Sequence, residues 1–184
     1  MNTAALGLAL MVLGGALGVF LLGTAVIGAG WEPTSRKKVR RMLELSGTGP
    51  SDVVYDLGSG DGRIIIEAVR SCNAKAVGVE ADPLRVLYSR LAVSLSRLDG
   101  KARVDWGNLF HADISEATVV TLFLTQGTNQ RLKQKLLSEL RPGTRVVSYV
   151  WTFDGWTPKS TDGGNELALY VVPERLHGAG SELG

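Results

Sequence analysis

The chain has 184 residues, enough for one domain and an appendage, and 45% of them are apolar. A net charge of +2 creates no global field that calls for nucleic acid, although the basic residues are unevenly placed. The single cysteine, Cys72, excludes an internal disulfide and reads as a small core side chain.

From Thr3 to Gly30 no side chain is charged. This run exceeds the roughly 20 apolar residues that cross a hydrocarbon core. A cleaved signal peptide would want a basic start, a shorter apolar stretch and an A-x-A site, and none of these stands out. Residues 1–30 are therefore expected to be a retained transmembrane anchor. No Lys or Arg precedes the run, whereas Arg36, Lys37, Lys38, Arg40 and Arg41 follow it, so the positive-inside rule puts the remainder on the cytoplasmic side. Trp31 stands where an interfacial aromatic would. Gly14 and Gly18 form a G-x-x-x-G pair that lets two helices approach, but in so glycine-rich a stretch it argues only weakly for a dimer.

Residues 31–48 read as a juxtamembrane basic helix. Pro33 disfavours helix at Glu32, and Thr34 is the expected N-cap. From Ser35 to Leu45, Val39, Met42 and Leu43 share one face and basic residues cover the rest. That stripe is expected to pack on the domain and also to cover the cofactor pocket. The basic face is solvated, and attraction to anionic headgroups adds to this; both readings hold together.

The domain proper is expected over residues 49–173. Asp52 to Leu57 is a first strand, followed by Gly58, Gly60 and Gly62 at alternate positions and an apolar helix from Arg63 to Ser71. Such a strand–turn–helix lets a ligand touch bare backbone next to the free N–H groups of a helix start. The spacing is not the G-x-G-x-x-G of dinucleotide folds, since Arg63 fills the slot of the third glycine, and it lacks the G-K-[ST] of a P-loop. Asp61, an acid inside the turn, suits a ligand with an ammonium and a sulfonium better than one with phosphates. The pattern D-x-G-x-G-x-G resembles the first motif of class I S-adenosylmethionine-dependent methyltransferases. Lys75 to Val79 is a second strand closed by Glu80, some twenty residues after the glycines, where nucleoside-binding folds use an acid to hold two ribose hydroxyls. Asp82 and Pro83 open a long helix as N-cap and first helical residue.

Ala102 to Trp106 is a third strand. In the fold so implied, the following loop lies beside the adenine, so Asn108 is expected at its edge and Leu109 and Phe110 on its face. His111 has no metal or triad partner and reads as a surface or rim residue; no metal site is expected. Thr118 to Leu124 is a fourth strand. Thr125 and Gln126 at its C-terminal end should border the methyl donor. Thr128 is the expected N-cap of a helix bearing Leu132, Leu136, Leu137 and Leu140, stopped by Pro142-Gly143. Arg145 to Phe153 is a fifth strand, and Glu166 to Val172 a last one, expected as an antiparallel edge. A seventh strand between Trp156 and Glu166 is short or missing. Residues 174–184 read as a disordered tail. The fold class expected is α/β, a doubly wound, mainly parallel, Rossmann-like methyltransferase sheet preceded by one transmembrane helix.

Several longer phrases narrow the resemblance. Arg40 to Glu44, Val54 to Ile64, Ala76 to Glu80, Asp113 to Val120 and Glu139 to Ser148 are similar to the small archaeal-type protein lysine methyltransferases and their single-pass mitochondrial relatives, which methylate the ATP synthase c-ring protein and the adenine nucleotide translocase. The similarity runs from about Pro33 to Val172. It implies S-adenosyl-L-methionine as cofactor, held by Tyr55, Asp56, Gly58, Ser59, Gly60, Asp61, Gly62, Glu80, Asn108, Leu109, Phe110 and Thr125. It implies a protein lysine as acceptor, with Gln126, Trp151, Phe153 and Trp156 as substrate-side candidates. No catalytic residue is named, because methyl transfer from a sulfonium needs alignment rather than a covalent group. The segment around Tyr149 to Phe153 departs from the archaeal pattern, so the particular substrate does not carry over. Acceptors of another kind, a lipid or a small molecule, stay open, as does a protein that only binds the cofactor. Nucleic acid is not expected.

Overall fold

Short apolar strands alternating with amphipathic helices can bury both faces of a parallel sheet, and the chain does this. The computed structural model describes residues 34–98, 100–164 and 166–174. The transmembrane span expected over residues 1–30, the Gly14/Gly18 pair, Trp31 and residues 175–184 of the tail lie outside the described residues. Among the described residues no helix is long and apolar enough to cross a membrane. The elements are α1 (Arg36–Leu45), β1 (Val53–Leu57), α2 (Arg63–Cys72), β2 (Lys75–Glu80), α3 (Pro83–Leu95), β3 (Ala102–Trp106), β4 (Val119–Leu122), α4 (Gln126–Glu139), β5 (Arg145–Tyr149), β6 (Ser160–Thr161) and β7 (Leu167–Val171).

The sheet order is β3-β2-β1-β4-β5-β7-β6. Strands β1 to β5 are mutually parallel, and β7 runs antiparallel to both β5 and β6. Strand order therefore reverses between β1 and β4, the place where such sheets bind ligands. The short strand β6 supplies the seventh strand from a stretch rich in polar and glycine residues. Its two exposed residues blunt the sheet edge, so β7, expected at the edge, sits one strand inside it.

Strand alternation sorts the core into two layers. Val54, Ala76, Val104 and Val147 face helices α1, α2 and α3. Tyr55, Leu57, Val79, Leu122 and Val146 face α4, whose Leu132 and Leu136 are fully buried with Leu140, the residue that caps the helix. The stripe of α1 belongs to the first layer: Val39, Met42 and Leu43 are buried, with the helix packed on α2 and β5, each contributing roughly 1.5–3 kcal/mol. As expected, it packs on the domain. Polar ties fix the helix further. Arg40 Nε donates to Glu67 at 2.6 Å, Lys38 pairs with Glu166, and Arg145 Nη1 donates to Ser46 O at 2.8 Å.

Three local expectations are corrected. Ser35, not Thr34, caps α1, accepting from Lys38 N. Thr125, not Thr128, caps α4, because its hydroxyl accepts from Thr128 N and the helix begins one turn earlier. Strand β5 ends at Tyr149 rather than Phe153, since Val150 takes a left-handed φ of 70° and leaves the ladder.

Candidate active site at the strand C-terminal rim

The turn after β1 is built from backbone. Gly58, Gly60 and Gly62 all have positive φ (86°, 55° and 79°), which glycine adopts without steric cost. The amides of Gly58 and Ser59 both donate to Val79 O, at 2.8 and 3.1 Å, which stitches the turn to β2. A Cβ on Gly58 would stand 2.9 Å from Leu124 Cδ2, so the turn and the end of β4 are in close contact. Gly62 caps α2 without a side-chain acceptor.

Two buried carboxyl groups flank this turn. Glu80, at the end of β2, reaches back over it: Oε2 accepts from Gly60 N at 2.8 Å, and Oε1 accepts from Ala81 N and Asp82 N, both at 3.0 Å. Three of the carboxylate's four lone-pair sites are thus taken, and Oε2 keeps one for a further donor. Asp56 lies on the neighbouring strand, aligned with Gly78 on one side and Thr121 on the other. Its Oδ1 accepts from Thr121 Oγ1 at 2.9 Å. Burial pushes its pKa up to about 7, the negative charges of Glu80 and Asp61 add to the rise, and the Thr121 hydroxyl opposes it. A buried carboxyl near the end of a central strand, shifted in this way, marks a candidate functional group.

Asp61 is different. Arg63 grips it through Nε at 2.9 and 3.0 Å and Nη2 at 2.5 Å, and Arg63 Nη1 continues to Thr34 O at 2.7 Å. Burial raises its pKa, but the Arg63 bonds outweigh that and hold it below the usual carboxylate range. Its charge is thus already matched, contrary to the expectation that it faces a ligand ammonium. Two further expected residues also turn away. Alternation puts Tyr55 on the opposite face from Asp56, its hydroxyl 3.5 Å from Arg103 Nη2. The Ser59 side chain points at β2, where a Cβ on Gly78 would meet its Oγ at 2.6 Å; that hydroxyl is buried without a partner.

After β3, Asn108 folds onto its own loop, with Oδ1 accepting from Phe110 N at 3.0 Å. Leu109 and Phe110 are half-buried against the α4-side core, and Arg131 stacks on the Phe110 ring at 4.3 Å. His111 lines a surface cleft of about 540 Å³ with Phe110 and Asp113. Thr125 serves as helix cap, and Gln126 Nε2 donates to Asp154 at 3.4 Å.

Of the three aromatic candidates beyond β5, only Trp151 is open to solvent. Phe153 is buried, edge-on to Tyr170 at 5.0 Å and beside Trp156 at 5.2 Å, because the chain doubles back at Val150 and returns to the sheet. Both are core packing. The return is pinned by residues the sequence did not single out. Asn129 Nδ2 donates to Ser148 Oγ at 2.9 Å and to Trp151 O at 3.0 Å, and Ser148 Oγ donates to the same carbonyl at 2.5 Å. Polar residues inside apolar runs, Thr121 in β4 and Ser148 in β5, were the available signal.

Residues 56–160 match the ANTKMT methyltransferase domain, from Asp56 through the glycine turn and Glu80 to the start of β6. A protein-lysine N-methyltransferase of Saccharolobus islandicus (strain REY15A) is 48% identical over 149 residues, covering 77% of this chain and 92% of that protein. The chain belongs to this methyltransferase family. The Mus musculus lysine N-methyltransferase that acts on the ATP synthase c-ring protein is 32% identical over 71% of this chain; the chain spans about half of that relative's length, 52%. Among solved structures, an RNA methyltransferase from Salinibacter ruber in complex with S-adenosyl-L-homocysteine has a TM-score of 0.76 at 43% identity, covering 79% of this chain and 96% of that one. Asp56, Gly60 and Glu80 all lie within the residues that match this domain.

Proposed function

We infer that the chain is an S-adenosylmethionine-dependent methyltransferase acting on lysine side chains of protein and tethered to a membrane by residues 1–30. The observation that carries the donor assignment is the Glu80 carboxylate lying over the glycine turn, with Asp56 buried beside it. Glu80 offers its remaining acceptor site on Oε2 to a ribose hydroxyl, the turn offers bare backbone, and Asp56 offers a carboxyl able to ionise opposite an ammonium. The donor supplies an electrophilic methyl group when bound. The chain's own part is to hold the acceptor amine in line and dry. Neutralising a lysine at pH 7 costs about 4–5 kcal/mol from its unperturbed pKa, a cost that desolvation of the bound amine lowers by disfavouring the cation.

The lysine acceptor is supported by the 48% identical protein-lysine N-methyltransferase. An RNA acceptor is the second reading, favoured by the name of the Salinibacter relative. The tether is supported by the uncharged run from Thr3 to Gly30, and the cytoplasmic placement of the domain by the basic residues that follow. Membranes carrying the full chain, incubated with methyl-labelled donor, test these points together. Label is expected in protein lysines, with wild type active and Glu80→Ala silent. Label in RNA or lipid instead would replace the acceptor, and equal label with and without Glu80→Ala would end the catalytic reading.

A further inference from the structure

Helix α3 carries two apolar faces. Val86, Ser89 and Val93 pack inward on the sheet. On the opposite side Leu84, Leu87, Tyr88, Leu91 and Leu95, at helical spacing of three and four, are each between 50% and 77% exposed. The outward row is bulkier than the inward one, which is the reverse of a helix made only to cover a sheet. Trp106, at the end of the neighbouring edge strand β3, is 66% exposed and adds an aromatic to the same side, its indole N–H held by Ala81 O at 3.0 Å. So large a continuous apolar surface marks a contact site.

What it contacts is indicated by charge. Helices α1, α2 and α3 all lie on one side of the sheet and together contain nine basic and two acidic residues; Lys38, Arg63 and Arg85 pair with Glu166, Asp61 and Asp82 outside them, which still leaves an excess of basic charge. Arg85 and Arg90 flank the α3 row on its two sides, Arg85 Nε 3.7 Å from Asp82 and Arg90 Nε donating to Val104 O at 2.9 Å, and the helix itself contains no acid. Leucines with an interfacial Tyr and Trp, rimmed by arginines, match the boundary between acyl chains and anionic headgroups. A nucleic-acid surface would want aromatics interleaved with the charges rather than a row of leucines.

The geometry points to the outer face of α3 as a membrane-contact surface, lying on a bilayer with anionic headgroups. This inference rests in part on the tethered reading above, because a tether ending at Gly30 would keep α1 and its neighbours beside a bilayer. Contact at α3 would then set how the rim of the sheet is presented to acceptors at the membrane.

The test uses the full chain with Cys72→Ala, labelled with a polarity-sensitive fluorophore at Leu91→Cys, at Leu87→Cys, or at Gln134→Cys on α4 as the control. Each is added to phosphatidylcholine vesicles with and without phosphatidylserine, some carrying nitroxide-labelled lipid. At positions 91 and 87 the lipid quencher is expected to reduce emission at least two-fold, more so with phosphatidylserine, and position 134 is expected to stay unquenched. Equal, weak quenching at all three positions overturns the inference. So does a blue shift at 91 that scales with protein density but ignores the lipid quencher, which would indicate a second copy, or one produced by added RNA. An alkaline wash separates the two readings. A chain retained on vesicles but unquenched at 91 loses the α3 contact alone, whereas one washed off but quenched beforehand keeps that contact and loses the tether.

Discussion

Glu80 Oε2 accepts the amide of Gly60 at 2.8 Å, joining the end of β2 to the top of the glycine turn across twenty residues of sequence. The same carboxylate holds Ala81 N and Asp82 N. Glu80→Gln replaces one oxygen with an N–H donor. The amide can turn its oxygen toward Ala81 and Asp82, or toward Gly60, but not both. One buried backbone donor is then left facing another donor, at a cost of about 1–3 kcal/mol. Glu80→Gln is therefore expected to lower thermal stability and to weaken donor binding at least tenfold by calorimetry. Wild-type affinity in that variant would remove Glu80 from the donor site.

Asp56 makes a prediction in pH. Its carboxyl is held at about 7, chiefly by burial, against an ordinary value of 3.8. A raised acid binds its proton more tightly in the folded state, so its contribution to stability is full below pH 3.8 and is lost as pH rises through about 7. Asp56→Asn keeps an oxygen for Thr121 Oγ1 and cannot ionise. Relative to wild type it should gain about 2–3 kcal/mol between pH 5 and pH 8. Donor affinity in the wild type should move the opposite way, rising with pH until Asp56 is ionised, and the variant should bind weakly throughout. Denaturant melts at the two pH values check the first part; a stability difference that does not change with pH would contradict it.

Much of this was legible in the chain because it rests on local chemistry. Alternate glycines after an apolar strand, an acid closing the next strand and Asp82-Pro83 at a helix start each fix a structure within a few residues. What could not be read depends on which side chains pair and on residues distant in sequence. Arg63 neutralises Asp61 from two residues away and continues to Thr34, a contact across twenty-nine positions. Phe153 looks like a continuation of β5 and becomes core because Tyr170 receives it. Asn129 and Ser148 reveal nothing until the sheet brings them together at Trp151 O.

Gly78 is a glycine for the sake of another residue. A Cβ there would stand 2.6 Å from Ser59 Oγ and 2.7 Å from Ser59 Cβ, closer than side chains approach. Gly78→Ala should cost about 1–3 kcal/mol by overpacking and should displace the turn that carries Gly60. Ser59→Gly removes both clashing atoms, so the double variant should recover at least about 1 kcal/mol of that loss. Ser59→Ala alone deletes a buried hydroxyl that has no partner and should be neutral or slightly stabilising. Additive losses in the double variant would mean that the two sites do not touch.

Val150 holds a left-handed φ of 70°, a conformation that costs a β-branched residue on the order of 1–3 kcal/mol. It is over-determined: its amide donates to Glu166 O at 2.7 Å, and the next residue's carbonyl is held by Asn129 and Ser148. The distortion ends β5 one residue before Val150 leaves the ladder toward Trp151, and both side chains are exposed at the rim. Val150→Gly should relieve the strain. After the extra entropy that glycine loses on folding, a net gain of about 1 kcal/mol remains, or roughly 2–4 °C in melting temperature. Donor affinity should not change, because Asp56, Gly60 and Glu80 are untouched. KM for the acceptor should rise, because a glycine no longer fixes the direction in which Trp151 is presented. A variant that melts lower than wild type, or that loses donor affinity, would show that this bend supports the sheet rather than the entrance of the acceptor.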